Sequence, residues 1–169
     1  MKLLIFGATG ATGRELVKQA LAQGHTVTGF SRHAGDLVSD YPTLPVVEGD
    51  VTDRDTVEQA VRGQDAVLSA LGSSSLKRNP ALTEGIKHIV DAMEQHHVRR
   101  LVYQSSLGVG DSRKQVGFLV RYIIIPLVLR NAIADHTDKE RIIQQSGLDW
   151  VIVRPAGLTD GPHTGQYKA

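Results

Sequence analysis

Short apolar runs alternate along this chain with stretches in which apolar residues recur every three or four positions. The short runs predict strands at Leu3–Phe6, His25–Phe30, Leu44–Val47, Asp65–Leu71, Arg100–Gln104 and Asp149–Val153. The periodic stretches between them predict helices, of which the longest are Ala81–His97 and Ala132–Ser146. Strands that alternate with helices are typical of a doubly wound α/β fold, in which helices cover both faces of one parallel sheet. We therefore expect a single three-layer α/β/α domain over residues 1–169.

A glycine-rich turn joins the first predicted strand to a helix that runs to about Gln23. The turn reads Gly7-Ala8-Thr9-Gly10-Ala11-Thr12-Gly13. Glycine adopts backbone conformations closed to other residues and lets a ligand approach the main chain. The start of a helix offers unpaired N–H groups and a partial positive charge, which suit a pyrophosphate. The turn therefore predicts a dinucleotide site, and the alternative is a turn that binds nothing.

The carboxyl ends of parallel strands meet at one edge of the sheet, and ligands bind there where the strand order reverses. We expect the segments that follow the predicted strands to lie along that edge. These segments are Gly7–Gly13, Ser31-Arg32, Asp50-Val51, Ala70-Leu71-Gly72, Ser105-Ser106 and Pro155-Ala156.

An unusual apolar segment, Phe118–Leu129, precedes the last predicted helix. It is too short to span a bilayer, which needs about 20 apolar residues, and Arg121 and Pro126 interrupt it. Three interpretations stay open. The segment packs against the sheet, forms a lid over an acceptor site, or forms the interface of a homo-oligomer.

Composition excludes several classes of protein. The chain has no cysteine, which excludes disulfides and thiolate metal sites, and we expect no metal site of another kind. Its net charge of +1 does not indicate a nucleic acid or an acidic membrane as partner. No signal peptide precedes the glycine turn, so we expect a cytoplasmic soluble protein. The polar residues of the last helix are expected to form a solvated face: Asp135, Asp138, Lys139 and Glu140.

Several motifs resemble those of atypical short-chain dehydrogenases/reductases, and in particular the NAD(P)H-binding group that includes biliverdin-IXβ reductase, also known as flavin reductase. They are the glycine turn, Gly49-Asp50-Val51, Ser105-Ser106, and Ser146-Gly147-Leu148-Asp149-Trp150 leading to Arg154-Pro155. The resemblance covers nearly the whole chain and implies a Rossmann-type fold. Members continue past the position of Tyr167 with a further strand and helix. We therefore expect a sheet that is short at its C-terminal edge, and the alternative is that the sequence is cut short.

The end of the second strand bears on which dinucleotide is preferred. An NAD site usually has an acidic residue there, whereas this chain has Ser31 and Arg32. Because arginine can bind a phosphate through two hydrogen bonds, we expect NADP(H) to be preferred over NAD(H), with a solvated arginine as the alternative. The resemblance implies other cofactor contacts: Asp50 (or else a turn residue) and Val51 at the adenine, Ala70, Leu71 and Gly72 at the nicotinamide ribose, and also Ser105 and Pro155.

The usual reductase pair, a tyrosine four residues before a lysine, is absent. Four residues after Tyr41, Tyr103 and Tyr122 come Pro45, Leu107 and Pro126, and Tyr167 has no such partner. In the family pattern the two positions correspond to Ala132 and His136, while Ser106 matches the serine. The resemblance therefore implies Ser106 and His136 as candidate catalytic residues, with a polar surface histidine as the alternative for His136.

Without the tyrosine, an ordinary carbonyl reduction lacks its proton donor. A flavin or quinone-like acceptor takes hydride without one, because the protein mainly orients the two rings. We expect an NADP(H)-binding oxidoreductase of this kind. A protein that binds the dinucleotide only to sense it, or as a scaffold, is the alternative. A nucleotide-sugar epimerase or dehydratase is disfavoured, since that chemistry uses the same missing pair.

Overall fold

The structure is a computed structural model that describes residues 1–73, 75, 77–158 and 161. Within these ranges the strands are β1 (Lys2–Phe6), β2 (Thr26–Ser31), β3 (Val46–Glu48), β4 (Ala66–Ser69), β5 (Arg100–Gln104) and β6 (Asp149–Val153). The α-helices are α1 (Ala11–Ala22), α2 (Gly35–Val38), α3 (Arg54–Val61), α4 (Pro80–Gln95) and α5 (Arg130–Gln144). A 3₁₀ helix, Gly110–Lys114, and a π-helix, Val120–Leu129, lie between β5 and α5.

The strands form one parallel sheet in the order β3-β2-β1-β4-β5-β6. The register pairs Ile5 of β1 with Gly29 of β2 on one side and with Leu68 of β4 on the other. The chain adds β2 and β3 on one side of β1, and then crosses back to add β4, β5 and β6 on the other side. The strand order therefore reverses between β1 and β4, and a crevice opens at their carboxyl ends. The predicted doubly wound fold is confirmed.

Successive residues of a strand point to opposite faces of the sheet, and both faces are buried here. Leu3 and Ile5 of β1 pack with Val17 of α1 and Leu37 of α2. The neighbouring residues of β1 pack on the other face with α3, α4 and α5, in a cluster that includes Phe6, Ile89 and Ile143. A strand with both faces buried reads as a continuous apolar run, which is why the strands could be predicted from the sequence.

Most predicted boundaries lie within two residues of the observed ones, and β5 and β6 match in full. The exception is α2, a helix over Gly35–Val38 that was not predicted. A helix of one turn has too few residues for its apolar period to be visible in the sequence. Asp53 caps α3, because its side chain accepts hydrogen bonds from the N–H groups of Asp55 and Thr56.

Of the three interpretations of Phe118–Leu129, the first, packing against the sheet, is wrong. Ile125 is buried, but most of the large side chains of the segment are exposed, up to 79% for Leu127. The side of the helix that carries Ile125 faces the protein, and the other large side chains point away from it. The other two interpretations, a lid and a subunit interface, are not decided by this placement.

The polar residues of α5 were also predicted wrongly. Asp135, Lys139 and Glu140 are buried rather than solvated, and Asp138 is partly buried and paired with Arg78 and Arg141. Basic side chains from other parts of the chain compensate the negative charges of the two buried acids. Arg78 reaches Asp135, and Arg154 reaches Glu140.

Among the helices that the structure describes, none is both long enough and apolar enough to cross a membrane. The predicted shortness of the sheet at its C-terminal edge concerns Tyr167 and its neighbours, which lie outside the described residues.

Candidate functional site

The glycine turn is held close to the next strand of the sheet. Gly7 has φ +74°, and a Cβ there would lie 2.7 Å from the carbonyl oxygen of Ala70. A Cβ at Gly13 would overlap the carbonyl oxygen of Gly7 and lie 2.8 Å from the Cα of Ala8. Larger residues cannot occupy these two positions without moving the backbone, because the atoms they would meet belong to the main chain.

The N-terminus of α1 is left open by this turn. Its N-cap is Gly10, which has no side chain to accept from the first-turn N–H groups, and the first turn contains no acidic residue. In α3, by contrast, Asp53 occupies those groups. The uncapped end of α1 therefore presents unpaired N–H donors and the positive end of the helix dipole to a ligand.

These N–H groups face a cavity of about 570 Å³ at the carboxyl ends of the strands. Volumes of this size are typical of small-molecule and cofactor sites. Four of the six segments predicted to meet at this edge line the cavity. The wall comprises Gly7, Thr9, Gly10, Ala11, Thr12, Phe30, Ser31, Arg32, Gly49, Asp50, Val51, Ala70, Leu71, Gly72, Ser73, Asn79, Ala81, Leu82 and Gln104.

The end of β2 is tied to the glycine turn. The hydroxyls of Thr9 and Ser31 are hydrogen-bonded at 2.9 Å, and Ser31 is buried. Arg14, the residue after the last glycine, donates to the carbonyl oxygen of Thr9 and pairs with Asp40. These bonds hold the strand end and the turn together, and the exposed side chain of Arg32 stands at the rim of the cavity beside them.

The segment after β3 forms another part of the wall. The backbone N–H and the hydroxyl of Thr52 both donate to Asp50 Oδ1, at 2.9 and 2.8 Å. These bonds, and to a smaller degree the charge of Arg32, lower the pKa of Asp50. The Asp50 side chain thus makes the turn that was one predicted alternative, and it also lines the cavity. Its contact with an adenine stays a prediction. Val51 is linked to α4 by a hydrogen bond, since the ring nitrogen Nδ1 of His88 lies 3.0 Å from the carbonyl oxygen of Val51.

Gln104 contributes a polar atom without a partner. Its Oε1 is buried in the cavity wall and has no hydrogen-bond partner among the described residues. A buried acceptor without a donor is costly, and such groups are rare in folded proteins. A ligand that places an N–H or O–H in the cavity would satisfy it. The sequence prediction omitted Gln104, although its position as the last residue of β5 could have indicated it.

Ser106 and His136, the predicted catalytic residues, lie outside the described cavity wall. His136 Nδ1 is 3.0 Å from the hydroxyl of Tyr103. Burial, followed by the charge of Lys139, lowers the pKa of His136 to about 4, whereas burial and the nearby Glu140 and Asp135 raise the pKa of Tyr103. Both groups are neutral at pH 7, so we infer that Tyr103 donates to Nδ1 and that the imidazole proton is on Nε2.

Ser105 and Pro155, two further predicted cofactor contacts, lie where β5 and β6 end. The Ser105 hydroxyl donates to Glu140 Oε1 at 2.6 Å and is buried. Arg154 donates to both carboxylate oxygens of Glu140, at 2.9 and 2.8 Å. The carbonyl oxygen of Pro155 accepts from the N–H of Leu107. Neither Ser105 nor Pro155 is part of the described wall, and the Ser105 hydroxyl is used inside the protein.

Several wall residues were not predicted. They lie next to predicted residues or at the start of α4, and they are Phe30, Gly49, Ser73, Asn79, Ala81 and Leu82. The residues at the start of α4 could not be predicted as part of the cavity wall. The sequence shows that a helix begins there, but not which strand end the helix lies beside. Among the described residues, no group of three or more His, Cys, Asp or Glu side chains is placed to hold a metal ion.

Comparison with known proteins gives a family and several relatives. A family model described as NAD(P)H-binding matches residues 7–169. An uncharacterised chloroplastic protein of Arabidopsis thaliana is 30% identical over 97% of this chain and 61% of its own length. The photosystem II assembly factor Ycf39 of Synechocystis is 27% identical over 99% of this chain and 48% of its own length. The chain thus spans about half to three fifths of the length of these curated relatives.

Among solved structures, ChuY of Escherichia coli O157:H7, an anaerobilin reductase, superposes with a TM-score of 0.79. It is 28% identical, and the match covers 98% of this chain and 77% of ChuY.

Proposed function

The chain belongs to the NAD(P)H-binding family, as an atypical short-chain dehydrogenase/reductase, and from this premise we propose that it transfers hydride from NADPH to a flavin or quinone-like acceptor. The observation that carries the proposal is the uncapped N-terminus of α1, which opens into the cavity beside Gly7 and Gly10. The similarity to ChuY, an anaerobilin reductase, supports reductase chemistry.

The residues of the wall fit a dinucleotide. The turn between Gly7 and Gly13 would bind the diphosphate through backbone N–H groups. Asp50 and Val51 would contact the adenine, and the backbone of Ala70–Gly72 would approach the nicotinamide ribose. The unpartnered Oε1 of Gln104 lies on the neighbouring strand and fits a donor from this half of the cofactor.

The bound cofactor supplies the hydride, and the chain supplies orientation. Ala132 stands where the family pattern has a proton-donating tyrosine, and a neutral His136 is a poor acid at pH 7. These features favour an acceptor that takes its proton from solvent, as a flavin or a quinone does. Ser106 and His136 remain our candidates for contacts to the nicotinamide or the acceptor, beyond the described wall.

The proposal is tested by following NADPH oxidation in the presence of FMN, menadione or dichlorophenolindophenol. We expect turnover with at least one of these acceptors, and none when the protein is omitted. Tight binding of NADPH without turnover of any acceptor would favour the second candidate, a sensor or scaffold, which the loss of the tyrosine and lysine also supports. No binding of NADPH would contradict both.

Arg32 is proposed to set the preference for NADP(H). A hydrogen bond to a charged group contributes roughly 1.5–3 kcal/mol, which corresponds to about a ten- to hundredfold difference in affinity. We expect Arg32→Ala to weaken NADP⁺ binding by that factor and to leave NAD⁺ binding unchanged, as measured by calorimetric titration. Arg54→Ala, which removes an exposed arginine at the start of α3, is the control. Equal affinity of the unaltered protein for NADP⁺ and NAD⁺ would refute the assignment.

A further inference from the structure

The π-helix and the two residues before it present one continuous exposed apolar surface. We call it the apolar stripe, and it consists of Phe118, Leu119, Tyr122, Ile123, Leu127 and Val128. A π-helix repeats its hydrogen bonds five residues apart, so residues four, five, nine and ten positions along the chain return to the same side. Counted from Phe118, these are the positions of Tyr122, Ile123, Leu127 and Val128. In an α-helix the same residues would be spread over several sides.

The opposite side of this helix attaches it to the protein. Ile125 is buried, and its Cδ1 lies 3.0 Å from the place where a Cβ of Gly108 would be. The stripe therefore faces away from the protein, with Phe118 76% exposed and Tyr122 55% exposed. Contiguous apolar surface of this kind on a folded protein marks a site of interaction.

The charged residues in this stretch of the chain are all basic. Residues 112–134 contain four basic side chains and no acidic one: Arg113, Lys114, Arg121 and Arg130 are the basic residues. None of the four forms an ion pair with a carboxylate of the described residues, unlike Arg78 and Arg154. Arg121 lies over the ring of Tyr122, 5.2 Å from its centroid. The net charge of +1 for the whole chain conceals this local excess.

We propose that the apolar stripe inserts into the surface of a lipid bilayer that carries anionic headgroups. Helices that lie in a membrane interface combine an apolar face with aromatic residues and flanking Lys and Arg. Anionic lipids attract such basic side chains, and the attraction decays within a Debye length of the surface. The proposal does not depend on the dinucleotide, so the protein can be tested without cofactor.

A second copy of this chain fits the same surface less well. A twofold interface places identical patches against each other, so it would bring the unpaired basic residues of both copies together. The basic residues that flank the stripe in the chain instead favour an anionic partner.

The test is co-sedimentation of the full chain with vesicles. We expect binding to vesicles of equal parts phosphatidylcholine and phosphatidylglycerol, and at least about tenfold weaker binding to vesicles of phosphatidylcholine alone, since about fivefold is expected for each basic side chain near an anionic surface. Raising the salt concentration to 0.5 M should weaken the first interaction to a similar degree, because added ions screen these charges.

Two sets of variants separate the apolar and the charged contributions. Phe118→Ser combined with Leu127→Ser should lower the affinity for the mixed vesicles at least about tenfold, since both side chains leave the bilayer. Arg113→Gln combined with Lys114→Gln should lower it about 25-fold, about fivefold for each lost charge, without changing any apolar residue. Leu21→Ser, at an exposed leucine of α1, is the matched control and should bind as the unaltered protein does. Because all the altered side chains are exposed, the thermal unfolding midpoint should stay the same.

Three results would overturn the proposal. One is that the unaltered protein does not sediment with the mixed vesicles. Another is that the stripe variant binds them as tightly as the Leu21 control. The third is that the unaltered protein is a dimer that the stripe variant dissociates, as measured by sedimentation velocity, because the stripe would then be a subunit interface. The variant with Phe118→Ser and Leu127→Ser, called the stripe variant, is replaced as the test if it fails to fold. The variant with Arg113→Gln and Lys114→Gln then tests the proposal, and unchanged binding of this variant to the mixed vesicles would overturn it.

Discussion

Gly13→Ala is expected to abolish dinucleotide binding and to lower the free energy of unfolding by about 3 kcal/mol. The added methyl group would overlap the carbonyl oxygen of Gly7 and meet the Cα of Ala8. Both atoms are main chain, so no side-chain rotation can relieve the contact. The turn has to open, which displaces the N–H groups at the start of α1 from the cavity. Urea denaturation gives the stability, and calorimetric titration with NADP⁺ gives the binding.

Gly35→Ala is the matched control for this prediction. A Cβ at Gly35 meets no atom within 4 Å, and its backbone does not have positive φ. We expect no loss of binding and a gain in stability of up to about 1 kcal/mol, because alanine restricts the unfolded chain more than glycine does. Normal NADP⁺ affinity in Gly13→Ala would show that the turn is not the diphosphate site.

Glu140→Ala should lower the free energy of unfolding by about 3 kcal/mol, which is at the lower end of the values for breaking a buried ion pair. Glu140 is 3% exposed and accepts from Ser105 and from two nitrogens of Arg154. Removing the carboxylate leaves the arginine and the hydroxyl without this acceptor. The lower value is chosen because Arg154 keeps Asp111 as a partner and some contact with water. Urea denaturation measures the change.

Two further variants establish the cause. Glu84→Ala removes a carboxylate of α4 whose side chain is 61% exposed, and we expect a change within about 0.5 kcal/mol. Combining Glu140→Leu with Arg154→Met removes both charges, so much of the lost stability should return. If Glu140→Ala is as mild as Glu84→Ala, the buried cluster is not a major source of stability. If the double variant is no better than the single one, packing rather than charge accounts for the loss.

Much of the candidate site was predictable because its residues sit at strand ends. Four predicted segments line the cavity, and each follows an apolar run that could be recognised in the sequence. They are the glycine turn, Ser31-Arg32, Asp50-Val51 and Ala70–Gly72. Gln104 satisfies the same rule and was overlooked. Ser106 and His136 were chosen by resemblance, and they lie outside the described wall.

The sequence by itself determined the doubly wound fold, since apolar runs and helical periods specify which residues are buried and in what order the elements follow. Only the tertiary structure decided what the polar residues of α5 and the segment 118–129 do. Asp135 and Glu140 are buried because Arg78 and Arg154, 57 and 14 positions away, compensate their charges. The apolar stripe is exposed because the segment packs on the protein only through its other side, where Ile125 lies close to Gly108. Both outcomes depend on contacts between distant parts of the chain, which local patterns do not record.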